Sequence, residues 1–295
     1  MIIAYIFSGL GNQMFQYAAG KALALHHKTT LKMDIQWFEE TDKQQTKREY
    51  GLGIFNLPDP IASKKETQYF TNKPPDNIFG RLKVKYHLSI PPYKRPIYEE
   101  PYFHFDSHFF DGRKSALIIG YWQSEKYFLP IADLIRKTFT LPVNGSENQE
   151  WERKICSTNA VSLHVRRGDM IHNPEVARVH GSCDIQYYIK AVELLSKEIS
   201  HPEFFIFSDD PEWCLQHIQI PFPTHVIQNN QGHDSWQDMQ LMRMCRHHII
   251  ANSSFSWWGA WLNPMSEKKV IAPARWFNSE DKDLRDLLPS GWIRI

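Results

Sequence analysis

Apolar and polar positions along the chain fall into short runs of two kinds. Ile2 to Phe7 is a continuous apolar run and reads as a buried strand. Ser8-Gly9-Leu10-Gly11-Asn12-Gln13 then turns into a helix with Phe15, Ala18, Ala22 and Leu25 on one face. Thr30 to Ile35 reads as the next strand, completing a βαβ unit. From Trp37 to Lys114 the pattern breaks, punctuated by Pro74-Pro75, Pro91-Pro92, Pro96 and Pro101 among many aromatics. A long irregular stretch of that kind in a compact protein is often functional. Ala116 to Tyr121 reads as a strand, Glu125 to Phe139 as an amphipathic helix, and Leu141 to Asn148 as a linker.

Beyond the linker the alternation is regular. Strands are expected at Val161–Val165, Phe204–Phe207, Thr224–Ile227, His248–Ala251 and Lys269–Ala272. The helices between them start at Asp184, at Asp210-Pro211, at Ser235 and at Phe255. Strands alternating with helices predict an α/β fold with parallel sheets and ligands at the strands' carboxyl ends. The chain divides on this reading into two domains, residues 1–148 and 149–295.

Composition narrows the class. The 295 residues are 42% hydrophobic and 23% charged, ordinary for a globular protein with a sizeable core. A net charge of +1 argues against a general nucleic-acid footprint. No apolar run approaches the ~18 residues of a membrane-spanning helix. The amino terminus has neither a basic segment nor a small-residue cleavage site, so no signal peptide is expected. Cys156, Cys183, Cys214 and Cys245 lie far apart, which predicts free thiols in a reducing compartment. The expected place of action is the cytoplasm, with room for peripheral association at the inner face of a membrane.

The chemistry gathers at strand ends. Strand Val161–Val165 runs into Arg166-Arg167-Gly168-Asp169, two forked guanidiniums suited to a phosphate or diphosphate. The alternative is an ion pair of either arginine with Asp169. Ser253-Ser254 before an aromatic helix offers hydroxyls and free N–H groups where the helix dipole is positive, an anion site or an ordinary serine cap. The glycine pair at Gly9 and Gly11 is not a dinucleotide fingerprint, because Met14 stands where the third glycine belongs. It leaves a turn with backbone amides and the side chains of Asn12 and Gln13. Asp238 either completes a capping box with Ser235 or accepts two hydrogen bonds from a guanine edge. His247 and His248 point to opposite faces of a strand and cannot easily share a metal ion.

Four motifs taken together have a family likeness. Ser8-Gly9-Leu10-Gly11-Asn12-Gln13-Met14-Phe15-Gln16-Tyr17, His164-Val165-Arg166-Arg167-Gly168-Asp169, Phe207-Ser208-Asp209-Asp210 and Ser253-Ser254-Phe255-Ser256-Trp257-Trp258 resemble the α-1,2-fucosyltransferases of glycosyltransferase family 11. The resemblance implies a GT-B fold of two Rossmann-like domains facing a cleft, the first on the acceptor side and the second binding GDP-fucose. It implies transfer of fucose, with inversion and without a metal or other cofactor, to the 2-hydroxyl of a β-galactoside. It places Arg166 on the β-phosphate, His164 near the nucleotide, Asp238 at guanine and Asn12 against a sugar. Arg167, Ser253, Ser254 and Phe255 complete the donor-binding candidates, and Asp169 joins Arg166 and Asn12 as catalytic candidates. No residue matches an agreed general base: Asp169 adjoins the arginines, and His172 and Glu175 lie in the loop beyond. The acceptor is expected against the irregular stretch Trp37–Lys114. Two other readings stay open, a fucosyltransferase of α-1,6 type and a sugar-binding protein without catalysis.

Overall fold

The computed structural model describes residues 1–39, 48–71, 77, 89–168, 177–178, 181–278 and 282–295. The chain forms two compact units. The first comprises Met1–Thr138 and Lys282–Leu287, the second Phe139–Asp281 and Leu288–Ile295.

The first unit is built on a parallel sheet of β1 (Ile2–Tyr5), β2 (Leu31–Asp34), β3 (Ile97–Glu99) and β4 (Ala116–Ile119). Its order is β2-β1-β4-β3, so the chain reverses its direction of travel between β1 and β4. Helix α1 (Leu10–His26) packs on one face, where Gly20 lets it approach closely: a Cβ there would stand 2.9 Å from that of Ala4. Helix α2 (Lys64–Thr71) covers the other face, with Phe70 packed beside Ile3 and Leu117. Strand β3 lies in the proline-rich stretch that sequence periodicity reads as loop. The expected helix Glu125–Phe139 is broken, leaving two 3₁₀ turns followed by α3 (Ala132–Phe139). Pro130 has no amide to give a continuous helix.

The second unit carries a longer parallel sheet. Its strands are β5 (Asn159–Val165), β6 (Pro202–Ser208), β7 (Thr224–Val226), β8 (His247–Ile249), β9 (Val270–Ala272) and β10 (Ile293–Arg294). The order β10-β9-β8-β5-β6-β7 puts the reversal between β5 and β8. Both faces are covered, which is why β6 is apolar at consecutive positions. Phe204 and Ile206 face Tyr188, Val192 and Leu195 of α5 (Ile185–Ser196). Phe205 and Phe207 face Ile155 of α4 (Ser146–Ser157) and Leu241 of α7 (Trp236–Met244). Two further helices, α6 (Pro211–His217) and α8 (Ser254–Leu262), follow β6 and β8. The expected linker Leu141–Asn148 is tied to α7 instead: Leu141 N donates to Gln240 Oε1 and Asn144 N to Gln237 Oε1. Among the described residues no helix is long and apolar enough to cross a membrane, and the four cysteines are free.

Candidate active site

In an open parallel sheet, ligands bind beyond the carboxyl ends of strands, where the strand order reverses. In the second unit that point lies between β5 and β8. Strand β5 ends at His164-Val165 and runs into Arg166-Arg167-Gly168. Its neighbour β6, in register from Asn159 opposite Pro202 to Val165 opposite Ser208, runs into Asp209-Asp210. Register alone brings the arginines to these two carboxylates. Arg166 Nε lies 3.1 Å from Asp209 Oδ2, and Arg167 Nε 3.2 Å from Asp210 Oδ2. Asp209 also accepts from the Arg167 amide at 2.8 Å. The arginines are therefore paired across strands, whereas the local partner weighed from sequence was Asp169, which lies outside the described residues with His172 and Glu175.

The two guanidiniums sit differently. Arg167 stacks 3.8 Å over the Trp213 ring while bonded to Asp210, an arrangement that locks its plane. Arg166 is held by Asp209, and Gly168 makes room for that carboxylate, since a Cβ there would fall 2.7 Å from Asp209 Oδ2. Asp210 is the cap of α6 as its sequence suggests, accepting from Trp213 N, with Pro211 at the first helical position.

His164 is buried beneath this edge. Burial pushes its pKa down to about 4, the nearby Arg166 charge acts in the same direction, and Asp209 opposes both. The imidazole is thus neutral at physiological pH. Its Nδ1 is buried with no hydrogen-bond partner among the described residues, and its ring lies 5.8 Å from that of Phe255 at the start of α8. Across the strand reversal, Ser253 caps α8, its Oγ accepting from Phe255 N. Ser254 opens the helix, so the first-turn amides and the positive end of the dipole come to the same sheet edge.

Asp238 is not part of a capping box. Ser235 has helical backbone angles and makes no side-chain cap, because a 3₁₀ turn over Gly232–Ser235 already leads into α7. Asp238 is instead 6% exposed and accepts from Asn230 Nδ2 at 2.8 Å. Asn230 is bonded in turn to Asn148, and Asn229 to the same Asn148. Burial raises the Asp238 carboxyl to about 7, against the lowering effect of the Asn230 bond. The cluster carries no local sequence signal, since Asn148 lies 81 residues from Asn229 and 82 from Asn230.

In the first unit, Asn12 and Gln13 fall in the first turn of α1, whose cap is Gly9 without a side-chain bond. Gln13 is fully buried and ties Ser8 O and Glu49 O to the Gly51 amide, so its role is internal. Asn12 donates to Ser8 Oγ and accepts from Gln123 Nε2 at 2.6 Å. The histidine pair is committed elsewhere: His248 is sealed between Ser162 and Asn263, and Lys269 N reaches His247 Nδ1. Among the described residues no three histidine, cysteine, aspartate or glutamate side chains are placed to hold a metal ion.

Comparison with known proteins gives the arrangement a context. Residues 83–295 match the model described as glycosyl transferase family 11. An α-1,2-colitosyltransferase of Escherichia coli is 36% identical over 100% of this chain and 99% of its own length. The O-antigen biosynthesis glycosyltransferase WbnK of Escherichia coli is 30% identical, covering 97% and 98%. The galactoside α-(1,2)-fucosyltransferase 2 of Rattus norvegicus is 27% identical over 56% of this chain and 47% of its own.

Proposed function

The chain belongs to glycosyl transferase family 11 and is a glycosyltransferase, and from that premise we propose that it moves L-fucose from GDP-fucose to the 2-hydroxyl of a terminal β-galactoside, with inversion, in surface glycan synthesis. The observation that carries this reading is the strand-end cluster of the second unit. There a guanidinium held by Asp209 shares one sheet edge with the amino terminus of α8. That cluster suits a diphosphate leaving group.

The chemistry follows from charge. As the glycosidic C–O bond breaks, negative charge builds on the β-phosphate and positive charge on the sugar ring. Arg166, with Arg167 beside it and the Ser253-Ser254-Phe255 helix start, meets the growing phosphate charge, where a preorganised donor is worth most. The neutral His164 serves the nucleotide as a hydrogen-bonding partner rather than a cation. Asp238, ionised, accepts from guanine N1–H and the 2-amino group. Asn12 orients a sugar, and Asp169 stays a candidate for the proton leaving the acceptor. With the leaving group stabilised in this way, the reaction leans less on a strong base. No metal is needed in this scheme. The protein works in the cytoplasm, at the inner membrane face when its acceptor is membrane-borne.

A second reading has its own support. The relative that is 36% identical is named a colitosyltransferase, and colitose is the 3-deoxy counterpart of L-fucose, so the donor sugar itself is open to test. The experiment is to incubate the protein with lactose and GDP-fucose, or with lactose and GDP-colitose, and determine the product linkage. An α-1,2 fucosyl product with the higher kcat/KM for GDP-fucose is expected. A higher kcat/KM for GDP-colitose would assign the second reading. An α-1,6 product, or GDP binding by calorimetry without transfer from either donor, would overturn both.

A further inference from the structure

The first unit has a strand reversal of its own, between β1 and β4, and that edge is unusually built. Two non-glycine residues with left-handed backbone flank it: Ser8 just after β1 has φ of 69°, and Trp122 just after β4 has φ of 54°. Each such conformation is disfavoured for a residue with a side chain and persists only where surrounding structure enforces it. Here Glu100 enforces one of them. Its carboxylate accepts from Tyr121 N at 2.7 Å and from Trp122 N at 3.0 Å. Gly120 permits the approach, since a Cβ there would stand 2.4 Å from Glu100 Cβ.

What the two turns accomplish is to point side chains at each other across the reversal. Gln123 Nε2 meets Asn12 Oδ1 at 2.6 Å, and Asn12 Nδ2 meets Ser8 Oγ. Gln123 is 7% exposed, yet its Oε1 is buried with no hydrogen-bond partner among the described residues. A buried amide oxygen left unpaired is destabilising unless something donates to it. Two residues earlier in the chain, Tyr121 is 37% exposed, its ring 4.9 Å from Phe7, which in turn packs on Trp37 at 6.3 Å. A buried acceptor amide and, two residues before it, a partly exposed tyrosine at the same strand end are the pairing that suits a pyranose, with one hydroxyl to donate and one C–H face to stack.

We propose that Gln123 and Tyr121 form a pyranose subsite for the acceptor, with Gln123 Oε1 accepting from a sugar hydroxyl, Tyr121 stacking on the ring, and Glu100 as the positioning residue that fixes both. This places acceptor recognition on the strand ends β1 and β4, beyond the irregular stretch where the sequence suggests it. The assignment of the pyranose to the acceptor, and not to the donor's sugar, rests on the transferase reading above.

The test separates the two. Binding of lactose to the full chain is measured by saturation-transfer NMR with GDP present, for the wild type and for Gln123→Ala, Tyr121→Ala and Tyr121→Phe. The expected result is a lactose signal in the wild type and Tyr121→Phe that is lost in both alanine variants. Lactose KM is expected to rise ten-fold or more in those variants, while GDP-fucose KM and GDP affinity stay within two-fold. Glu100→Gln should raise lactose KM at nearly unchanged melting temperature. An unchanged lactose signal in either alanine variant, no signal in the wild type, or a rise confined to the GDP-fucose KM overturns the proposal. Lactose binding that depends on Gln123 and Tyr121 in a protein that transfers nothing would sustain the subsite and sink the transferase reading.

Discussion

Arg166 is a case where charge and geometry make different demands. Its Nε is committed to Asp209, so the role proposed for it needs a planar fork that bonds a carboxylate on one side and a phosphate on another. A lysine keeps the charge but has a single ammonium to share. Arg166→Lys should therefore lose about 2.7–4 kcal/mol of transition-state stabilisation, a fall of 10²–10³ in kcat, with a small change in donor KM. Steady-state kinetics on the variant checks this, and near-native turnover would make the residue structural. Asp238 gives a prediction in which the sign of a pH effect decides. Burial lifts its carboxyl from the ordinary 3.8 to about 7, so between those values the folded chain holds a proton that the unfolded chain has released. The folded state accordingly loses stability as pH rises from about 4 towards 7. Asp238→Asn removes that slope, because an amide does not ionise, while its oxygen can still accept from Asn230. The guanine binding proposed for it works the other way, favouring the carboxylate, so wild-type donor KM should fall as pH rises towards 7. In the variant, donor affinity should drop ten-fold or more and lose this dependence, since hydrogen bonds to a charged group are worth ~1.5–3 kcal/mol. Melting curves and donor KM across pH 5–8 read out both effects, and an unchanged KM would confine Asp238 to the fold.

At the scale of elements, what was legible in sequence was whatever is written locally. Strands β5 and β6 of the second unit stand out because each is an apolar run closed by polar turn residues. Asp210 caps its helix as its sequence suggests, and the helix expected from Asp184 begins there, with Asp184 as its cap. Strand β3 is three residues among prolines and β10 is two residues near the chain end, too short for any period to register. The partners of Arg166 and Arg167 were illegible for another reason: Asp209 and Asp210 are 43 residues away, and only strand order makes them neighbours. The same holds for Asn12 with Gln123, 111 residues apart. Sequence locates the strand ends well and the cross-strand pairs poorly, because register is a tertiary property. One helix pair offers a test of packing against propensity. Gly259 in α8 faces α7, and an added Cβ would stand 2.9 Å from Met242 Cβ, an atom that cannot swing away. Alanine gains about 0.8–1 kcal/mol of helix propensity over glycine, but overpacking at such a contact costs ~1–3 kcal/mol. Gly259→Ala should be net destabilised by up to about 2 kcal/mol in denaturant titration. Because α7 carries Asp238, GDP affinity should weaken with it. A variant more stable than wild type would show that α7 yields freely.

Across the whole molecule, a net charge of +1 leaves little overall charge to draw in an anion. In the proposed reading, recognition of a diphosphate falls to the local arrangement at the ends of β5, β6 and β8. Many enzymes that handle nucleotide diphosphates place a divalent cation there, to neutralise charge as the leaving group departs. In this protein the proposed scheme assigns that task to Arg166, to Arg167 stacked on Trp213, and to the positive end of α8. The expected outcome is that transfer from GDP-fucose to lactose proceeds at an undiminished rate in excess EDTA. Added magnesium should alter it only slightly, by competing for the diphosphate product. Arg166→Lys should not regain activity in manganese, because among the described residues no three carboxylate, histidine or cysteine side chains are placed to hold a cation. Loss of most activity in EDTA, restored by magnesium or manganese, would transfer the leaving-group role from the guanidinium to a metal and reduce Arg166 to a partner of Asp209.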